Sequence, residues 1–190
     1  MSGVDLDKAV DQFGCEAAVN MSQTTGERVA ALFETHQMKI YGFLVSQGLA
    51  PAEAQELTQE VFFRFFITLE KGTGIESEQA WLFGVASKLA IDYWRREGRP
   101  MWVELDAIPA IADNLRSKEP TPEAAALRTQ RLRRVAEAMA RLPRNQRMGI
   151  HLRMQGLRYR EIAQILKVNM TTVSDLLSTA VERLRSAANE

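Results

Sequence analysis

The sequence predicts an all-α protein made of two small helical bundles joined by a flexible linker. Three observations carry this reading. Apolar residues recur at three- and four-residue steps from Val29 to Tyr93 and again beyond Pro122, the mark of amphipathic helices. No segment alternates polar and apolar residues as a half-buried strand would. Between Gly98 and Thr121 the periodicity stops among Pro100, Pro109, Pro120 and scattered charges, which describes a tether. The expected organisation is an N-terminal extension over 1–26, a first bundle over 27–97, a linker over 98–121 and a second bundle over 122–190. With 190 residues, 46% of them hydrophobic, the chain can furnish two packed cores.

The elements follow in order. Val29, Leu32, Phe33, His36, Ile40, Phe43 and Leu44 form the stripe of a first helix that starts at about Glu27 and is ended by Gly48. Pro51 suits the first turn of a second helix with the stripe Ala54, Leu57, Val61, Phe65 and Leu69, broken by Lys71-Gly72-Thr73-Gly74. The run Phe62-Phe63-Arg64-Phe65-Phe66 looks like a base-stacking box, but helical spacing sends Phe62, Phe65 and Phe66 to the core and leaves Phe63 exposed. Ser77 can cap a third helix in which Trp81, Leu82, Val85, Leu89 and Tyr93 are buried and Arg95 and Arg96 lie at the C-terminal dipole. The second bundle has helices from about Pro122 to Arg141, Arg144 to Gln155, Tyr159 to Leu166 and Met170 to Ala187, with turns at Leu142-Pro143 and Gly156.

Composition excludes several classes. No stretch approaches the roughly 18 apolar residues of a membrane span. The first residues carry Asp5, Asp7, Asp11 and Glu16 in place of a basic and then apolar signal. A soluble, cytoplasmic protein is expected. Cys15 is the only cysteine, read as a free thiol in a mobile tail, and His36 and His151 are the only histidines, so no metal set is evident. There is no phosphate-cradling glycine loop and no nucleophile with an evident base, so neither a cofactor nor an enzymatic activity is expected.

The formal net charge of zero conceals an uneven division. Residues 27–97 carry seven bases and ten acids, whereas residues 128–190 carry thirteen bases and five acids. A C-terminal third with that excess has the electrostatic footprint of a polyanion binder. Within it, residues 158–173 have the spacing of a helix-turn-helix. Ala163 is small where two helices cross, Ile162 and Leu166 face the core, Val168 plugs the turn, Val173 with Leu176 or Leu177 anchors the second helix, and Asn169 can cap it. A helical hairpin packing only on its own domain would show the same apolar pattern without needing the surrounding arginines.

The second helix presents Thr171, Thr172, Ser174, Asp175, Ser178 and Thr179, and no base until Arg183. Hydroxyls can read base edges, but the bidentate contacts to guanine worth about 1–3 kcal/mol each are missing. Affinity must then come from Arg144, Arg147, Arg158, Arg160 and Lys167 through phosphates, which position without specifying. Weak, salt-sensitive binding by this domain alone is the consequence.

From Glu27 to Ala188 the chain resembles the extracytoplasmic-function (ECF) sigma factors of bacterial RNA polymerase, members of the sigma-70 superfamily that join a region 2 and a region 4 domain. In the first domain the matching words are Ala54-Gln55-Glu56-Leu57-Thr58-Gln59-Glu60-Val61-Phe62, Ala80-Trp81-Leu82 and Leu89-Ala90-Ile91-Asp92-Tyr93-Trp94-Arg95-Arg96. In the second they are Arg141-Leu142-Pro143-Arg144-Asn145-Gln146-Arg147 and Gly156-Leu157-Arg158-Tyr159-Arg160-Glu161-Ile162-Ala163.

The resemblance implies a protein that binds core polymerase and directs promoter recognition, DNA melting and initiation. Glu56, Gln59 and Glu60, which share one helix face by their spacing, would dock on the clamp helices of the largest subunit, with region 4 near the flap of the second-largest. As an isolated word they would read as a solvated flank. The loop at Gly74, Ile75, Glu76 and Ser77 would capture a base flipped from the -10 element. Lys88, Tyr93, Trp94, Arg95 and Arg96 would hold the separated strand, a task that suits aromatic and basic side chains.

The helix-turn-helix would sit on the -35 element. Two positions depart from the family pattern: Lys88 stands where relatives commonly have Asn, and Lys167 where a small residue, often Gly, occupies the turn. An anti-sigma factor that clamps two otherwise openly arranged domains is the implied inhibitor. Alternatives are an ordinary helix-turn-helix regulator, or a sigma-like interaction protein that does not itself support initiation.

Overall fold

The computed structural model describes residues 6–97 and 122–189, with side chains from 24 and from 127 onward. The linker expected over 98–121 and the Cys15 thiol lie outside them. Seven α-helices and no strand occur among the described residues: α1 Leu6–Ser46, α2 Pro51–Glu70, α3 Glu78–Arg96, α4 Pro122–Arg141, α5 Arg144–Met154, α6 Tyr159–Leu166 and α7 Met170–Asn189.

One boundary differs from the sequence expectation. Helix α1 begins at Leu6, ahead of the start near Glu27 that the apolar stripe predicts. Residues 6–26 contain no proline, and an internal glycine such as Gly14 or Gly26 costs a helix only about 1 kcal/mol, too little to break it.

Helices α1, α2 and α3 form the first bundle. Its core is made of Ile40, Phe43 and Leu44 from α1, Val61, Phe62 and Phe65 from α2, and Leu82, Phe83, Ala86 and Ala90 from α3. Aromatic rings meet edge-on at the joints, Phe33 with Phe62 at 4.9 Å and Phe43 with Phe83 at 5.4 Å, an arrangement the ring quadrupoles favour. Trp81 packs on Phe65 at 5.3 Å. Of the phenylalanine run, Phe62 and Phe65 are buried, Phe66 is half-buried and Phe63 is 60% exposed.

The helix ends are fixed by local chemistry. Pro51 occupies the first turn of α2, where its missing N–H costs nothing. The Ser77 hydroxyl accepts from the Ala80 N–H at 3.2 Å to cap α3. Arg28 on α1 pairs with Glu78 in the first turn of α3, where a carboxylate also suits the helix dipole.

In the second bundle α7 packs against α4, α5 and α6. Met148 and Leu152 from α5, Leu157, Ile162 from α6, and Val173, Leu177 and Ala180 from α7 are buried. The approach of α5 to α7 is close at Gly149, where a Cβ would lie 2.8 Å from Leu176 Cδ2.

The two bundles touch, in contrast to the open arrangement expected from the sequence. Helix α3 lies against α6, Phe43 meets the His151 ring edge-on at 6.4 Å, and the Gln79 amide donates to the Gln155 carbonyl at 2.7 Å. That carbonyl belongs to the C-cap of α5; helix C-terminal carbonyls lack a partner within their own helix, and here the other bundle supplies one.

Burial, reinforced by the charge of Arg147, pushes the His151 imidazole down to about 4. The folded state therefore holds it neutral, while in the unfolded chain it titrates near the ordinary 6.5. As pH falls the unfolded chain takes up the proton first, so stability is full above about 6.5 and drains away toward 4. The gap corresponds to on the order of 3 kcal/mol. Half-buried His36, lowered by burial and by Lys39, adds a smaller loss in the same direction. Thermal melts between pH 7.5 and 4 should show this decline, and His151→Leu should flatten most of it above pH 5. An undiminished slope in the variant would assign the effect elsewhere.

Candidate nucleic-acid interface

The helix-turn-helix is built from α6 and α7. At the start of α6 the Arg158 N–H donates to the Glu161 carboxylate at 2.6 Å. This bond, more than the nearby arginines, holds the Glu161 carboxyl below its ordinary range. Lys167 closes the helix in the left-handed conformation, φ 55° and ψ 45°, and the Val168 N–H bonds back to the Ala163 carbonyl at 3.1 Å. Glycine adopts this conformation freely, whereas a residue with a Cβ is strained there by about 1 kcal/mol or more. Asn169 then caps α7 by accepting from the Thr172 N–H at 2.7 Å, as its position in the sequence predicts. Ile162, Ala163, Val173 and Leu177 are buried and lock the two helices together.

This packing turns Thr171, Thr172, Ser174, Asp175, Ser178 and Arg183 outward, all of them exposed. Ser178 spends its hydroxyl proton on the Ser174 carbonyl at 2.8 Å, and Arg183 bonds Gln146 of α5 at 3.0 Å. Arg158, Arg160 and Lys167 are exposed and Arg144 is half-buried.

Arg147 departs from the sequence expectation. It is only 5% exposed and donates to the Ala140 carbonyl at 2.9 Å. It therefore ties α4 to α5 across the Leu142-Pro143 turn and presents no cation to a phosphate.

On the first bundle, Glu56 and Gln59 are exposed and Glu60 is half-buried, on the side of α2 away from Ala54, Thr58 and Val61. Arg64 bonds Glu60 at 2.6 Å. In the loop before α3, Gly74 and Glu76 are exposed, Ile75 packs partly on the core and Ser77 serves as the α3 cap. Lys88, Arg95 and Arg96 are exposed and Tyr93 is half-buried. Arg95 pairs with Asp92 at 3.1 Å.

Trp94 is a second correction. Its ring is in the core at 8% exposure, edge-on to Tyr93 at 5.3 Å, so it has no free face for a base to stack on. The sequence placed Tyr93 on the buried stripe and Trp94 beside it, and the helix is rotated enough to bury the larger ring.

The structure gathers residues from both bundles around one cleft of about 1290 Å³. Gly74, Ile75, Glu76, Ser77, Lys88 and Arg95 line it from the first bundle, and Arg144, Arg158, Arg160 and Lys167 from the second. Glu56, Gln59 and Glu60 do not line it. Sequence reasoning missed Ile91, which is 39% exposed and lines the cleft one turn after Lys88; an apolar residue lying off the α3 stripe was the available signal. It also missed Gln79, Gly84 and Ile165, which only the meeting of the bundles brings together.

Comparison with known proteins places this geometry. Residues 32–100 match the family model described as Sigma-70 region 2, and residues 132–184 match Sigma-70, region 4. The chain is 31% identical over 174 residues to the ECF RNA polymerase sigma factor SigK of Mycobacterium ulcerans, covering 85% of this chain and 87% of the relative. It is 25% identical over 160 residues to the ECF RNA polymerase sigma factor SigX of Bacillus subtilis, covering 84% and 82%. It is 28% identical over 165 residues to the ECF RNA polymerase sigma factor RpoE of Cereibacter sphaeroides, covering 82% and 83%.

The turn geometry gives a pair of opposite stability effects. Removing the cap with Asn169→Ala should cost the second bundle about 1 kcal/mol. Relieving the left-handed backbone with Lys167→Gly should raise stability by about 0.5–1 kcal/mol, the strain relief outweighing the added freedom of the unfolded chain. Urea titration of both variants checks the signs, which should be opposite.

Proposed function

The chain belongs to the ECF branch of the sigma-70 family, and from that premise we propose which of its surfaces perform each step. It is a sigma factor, a DNA-binding subunit that works with RNA polymerase at promoter DNA and directs the initiation of transcription. Helix α2 docks on the clamp helices of the largest polymerase subunit through Glu56, Gln59 and Glu60, and the second bundle lies near the flap of the second-largest. The single observation that carries this reading is that those three residues share the face of α2 opposite Ala54, Thr58 and Val61, which are buried, in a bundle with more acids than bases.

The loop Gly74–Ser77 with Lys88, Tyr93, Arg95 and Arg96 holds the melted -10 strand. Exposed cations track its backbone, and Tyr93 offers the aromatic edge. Trp94 supports this face from beneath. On the duplex at -35, Arg144, Arg158, Arg160 and Lys167 contact phosphates while the hydroxyl-bearing face of α7 meets base edges. With no long cation in the first turns of α7, recognition there is shallow, and the tie to polymerase supplies the rest of the affinity by raising the local concentration of region 4 at the promoter.

The site works inside the cell where the chromosome is, and no helix among the described residues is long and apolar enough to cross a membrane. Phosphodiester chemistry is left to the polymerase. An anti-sigma factor that holds the two bundles together acts as the inhibitor, a role that their juxtaposition supports.

The docking face and the phosphate face can be separated by experiment. Glu56→Lys with Glu60→Lys should lower association with core polymerase at least tenfold in pull-down or anisotropy while the circular dichroism stays unchanged; wild-type association would remove α2 from the interface. Arg158→Ala with Arg160→Ala should leave core association intact. It should flatten the salt dependence of promoter binding by nearly two units in the slope of log K against log salt, about 0.9 for each phosphate lost.

A further inference from the structure

The second bundle carries another cavity, which shares no lining residue with the cleft between the bundles. It is a groove of about 270 Å³ between α4 and the C-terminal half of α7. Arg134 and Arg141 line it from α4 and Arg183 from α7, with Glu137 as the one carboxylate among the described lining residues. Arg134, Glu137 and Arg141 follow one another at three- and four-residue steps, so they share one helix face. The two arginines of α4 stand about 10 Å apart along the axis, a span that long side chains can close around one ion. Leu142 is buried beneath them, and the small Ala138 and Ala187 leave the space between the charged side chains unfilled.

None of the three arginines is spent on a carboxylate. Among the described residues Arg134 and Arg141 have neither an ion pair nor a hydrogen bond. Arg183 donates to the Gln146 side-chain oxygen at 3.0 Å, a neutral acceptor that orients the guanidinium and leaves its charge uncompensated. Arg183, which the sequence assigns to duplex DNA, thus stands at this groove and does not line the cleft that holds Arg158, Arg160 and Lys167.

Three guanidiniums against one carboxylate leave a local surplus of two positive charges. Like charges gathered in this way repel one another, and a bound anion turns the repulsion into attraction. Each guanidinium is a planar fork of N–H donors that matches a pair of carboxylate or phosphate oxygens. A carboxylate has oxygens for one fork. A pyrophosphate group is longer and carries oxygens on two phosphorus atoms, so it can meet forks that arrive from both helices. An enclosed organic ligand needs roughly 300–1,000 Å³, so the groove holds the charged group alone and leaves outside whatever the group is attached to.

We propose that this groove is a binding site for a pyrophosphate group, free or carried by a nucleoside diphosphate. Arg134 and Arg141 grip it from α4, Arg183 closes on it from α7, and Glu137 limits the affinity. The bound group ties α4 to the end of α7, so the stability of the second bundle rises with ligand concentration. The site shares no residue with the surfaces proposed for polymerase and promoter, and it stands or falls apart from them.

The test titrates sodium pyrophosphate into the full chain by calorimetry at low ionic strength, with sodium chloride of equal ionic strength as the control. Wild type should bind one pyrophosphate with a Kd of about 1 mM or tighter. Arg134→Ala with Arg141→Ala should weaken binding about tenfold or more while circular dichroism stays unchanged. Arg141→Lys, which keeps the charge and loses the fork, should weaken it about threefold. Glu137→Gln should tighten it about threefold by removing the repelling carboxylate. Arg158→Ala with Arg160→Ala, in the other cleft, should leave the pyrophosphate affinity as it is.

Absence of binding, an equal response to sodium chloride, or wild-type affinity after Arg134→Ala with Arg141→Ala overturns the site. So does loss of binding in the Arg158 and Arg160 variant, or unchanged affinity in Glu137→Gln. If pyrophosphate fails to bind and Arg134→Ala with Arg141→Ala instead lowers the salt slope of promoter binding by about 0.9 per arginine, these cations belong to a duplex contact and the small-anion site is overturned. Adenosine diphosphate titrated in parallel separates the two sources: tighter binding than pyrophosphate assigns the site to a nucleotide, and weaker binding assigns it to the free ion.

Discussion

An eight-residue helix has no independent stability in water, since isolated helices shorter than about 12–15 residues are marginal even with favourable sequences. Helix α6 exists because Ile162 and Ala163 are buried against α7 and α5. Every residue of the second bundle proposed to face DNA depends on that burial. It sets the angle at which α7 leaves the turn, it obliges Lys167 to take the left-handed conformation, and it decides which residues of α7 look outward. The tight passage of α5 beside Leu176 at Gly149 belongs to the same constraint, because a bulkier residue there would displace the helix that anchors the motif.

Electrostatics is layered on this packing. The bundle with an acidic excess carries the face proposed to dock on polymerase, and the bundle with thirteen bases against five acids carries the one proposed to meet the duplex. Net neutrality of the whole chain conceals this opposition. Six cations and three carboxylates line the shared cleft, so a surplus of positive charge remains there even with the bundles in contact. Surplus charge of one sign lining a cleft focuses its field and raises the local concentration of anions.

Much of the fold was legible because the chain punctuates itself. Gly48, Pro51, the Lys71–Gly74 stretch, Ser77, Pro143, Gly156 and Asn169 each mark a helix end by a mechanism that reads directly from the residue type, and six of the seven helices fall within a few residues of where those marks put them. The start of α1 was not legible, because nothing between Leu6 and Glu27 breaks a helix strongly enough to announce a boundary. Trp94 and Arg147 were misread for another reason. Both sit at the margin of an amphipathic stripe, where a rotation of a few tens of degrees decides between core and solvent, and that rotation is set by neighbouring helices. The site residues that lie far from any stripe edge, such as Glu56, Thr171 and Arg158, were placed correctly as exposed. The α3–α6 contact had no sequence signature, since Gln79, Gly84 and Ile165 become neighbours only through tertiary packing.

The acceptor in the Gln79–Gln155 bond is a main-chain carbonyl at the end of α5. Whatever side chain a descendant sequence places at that position, the oxygen stays where the helix leaves it. Side-chain substitution at position 155 therefore leaves the acceptor in place, and the bond is tuned chiefly through the residue at position 79 on α3.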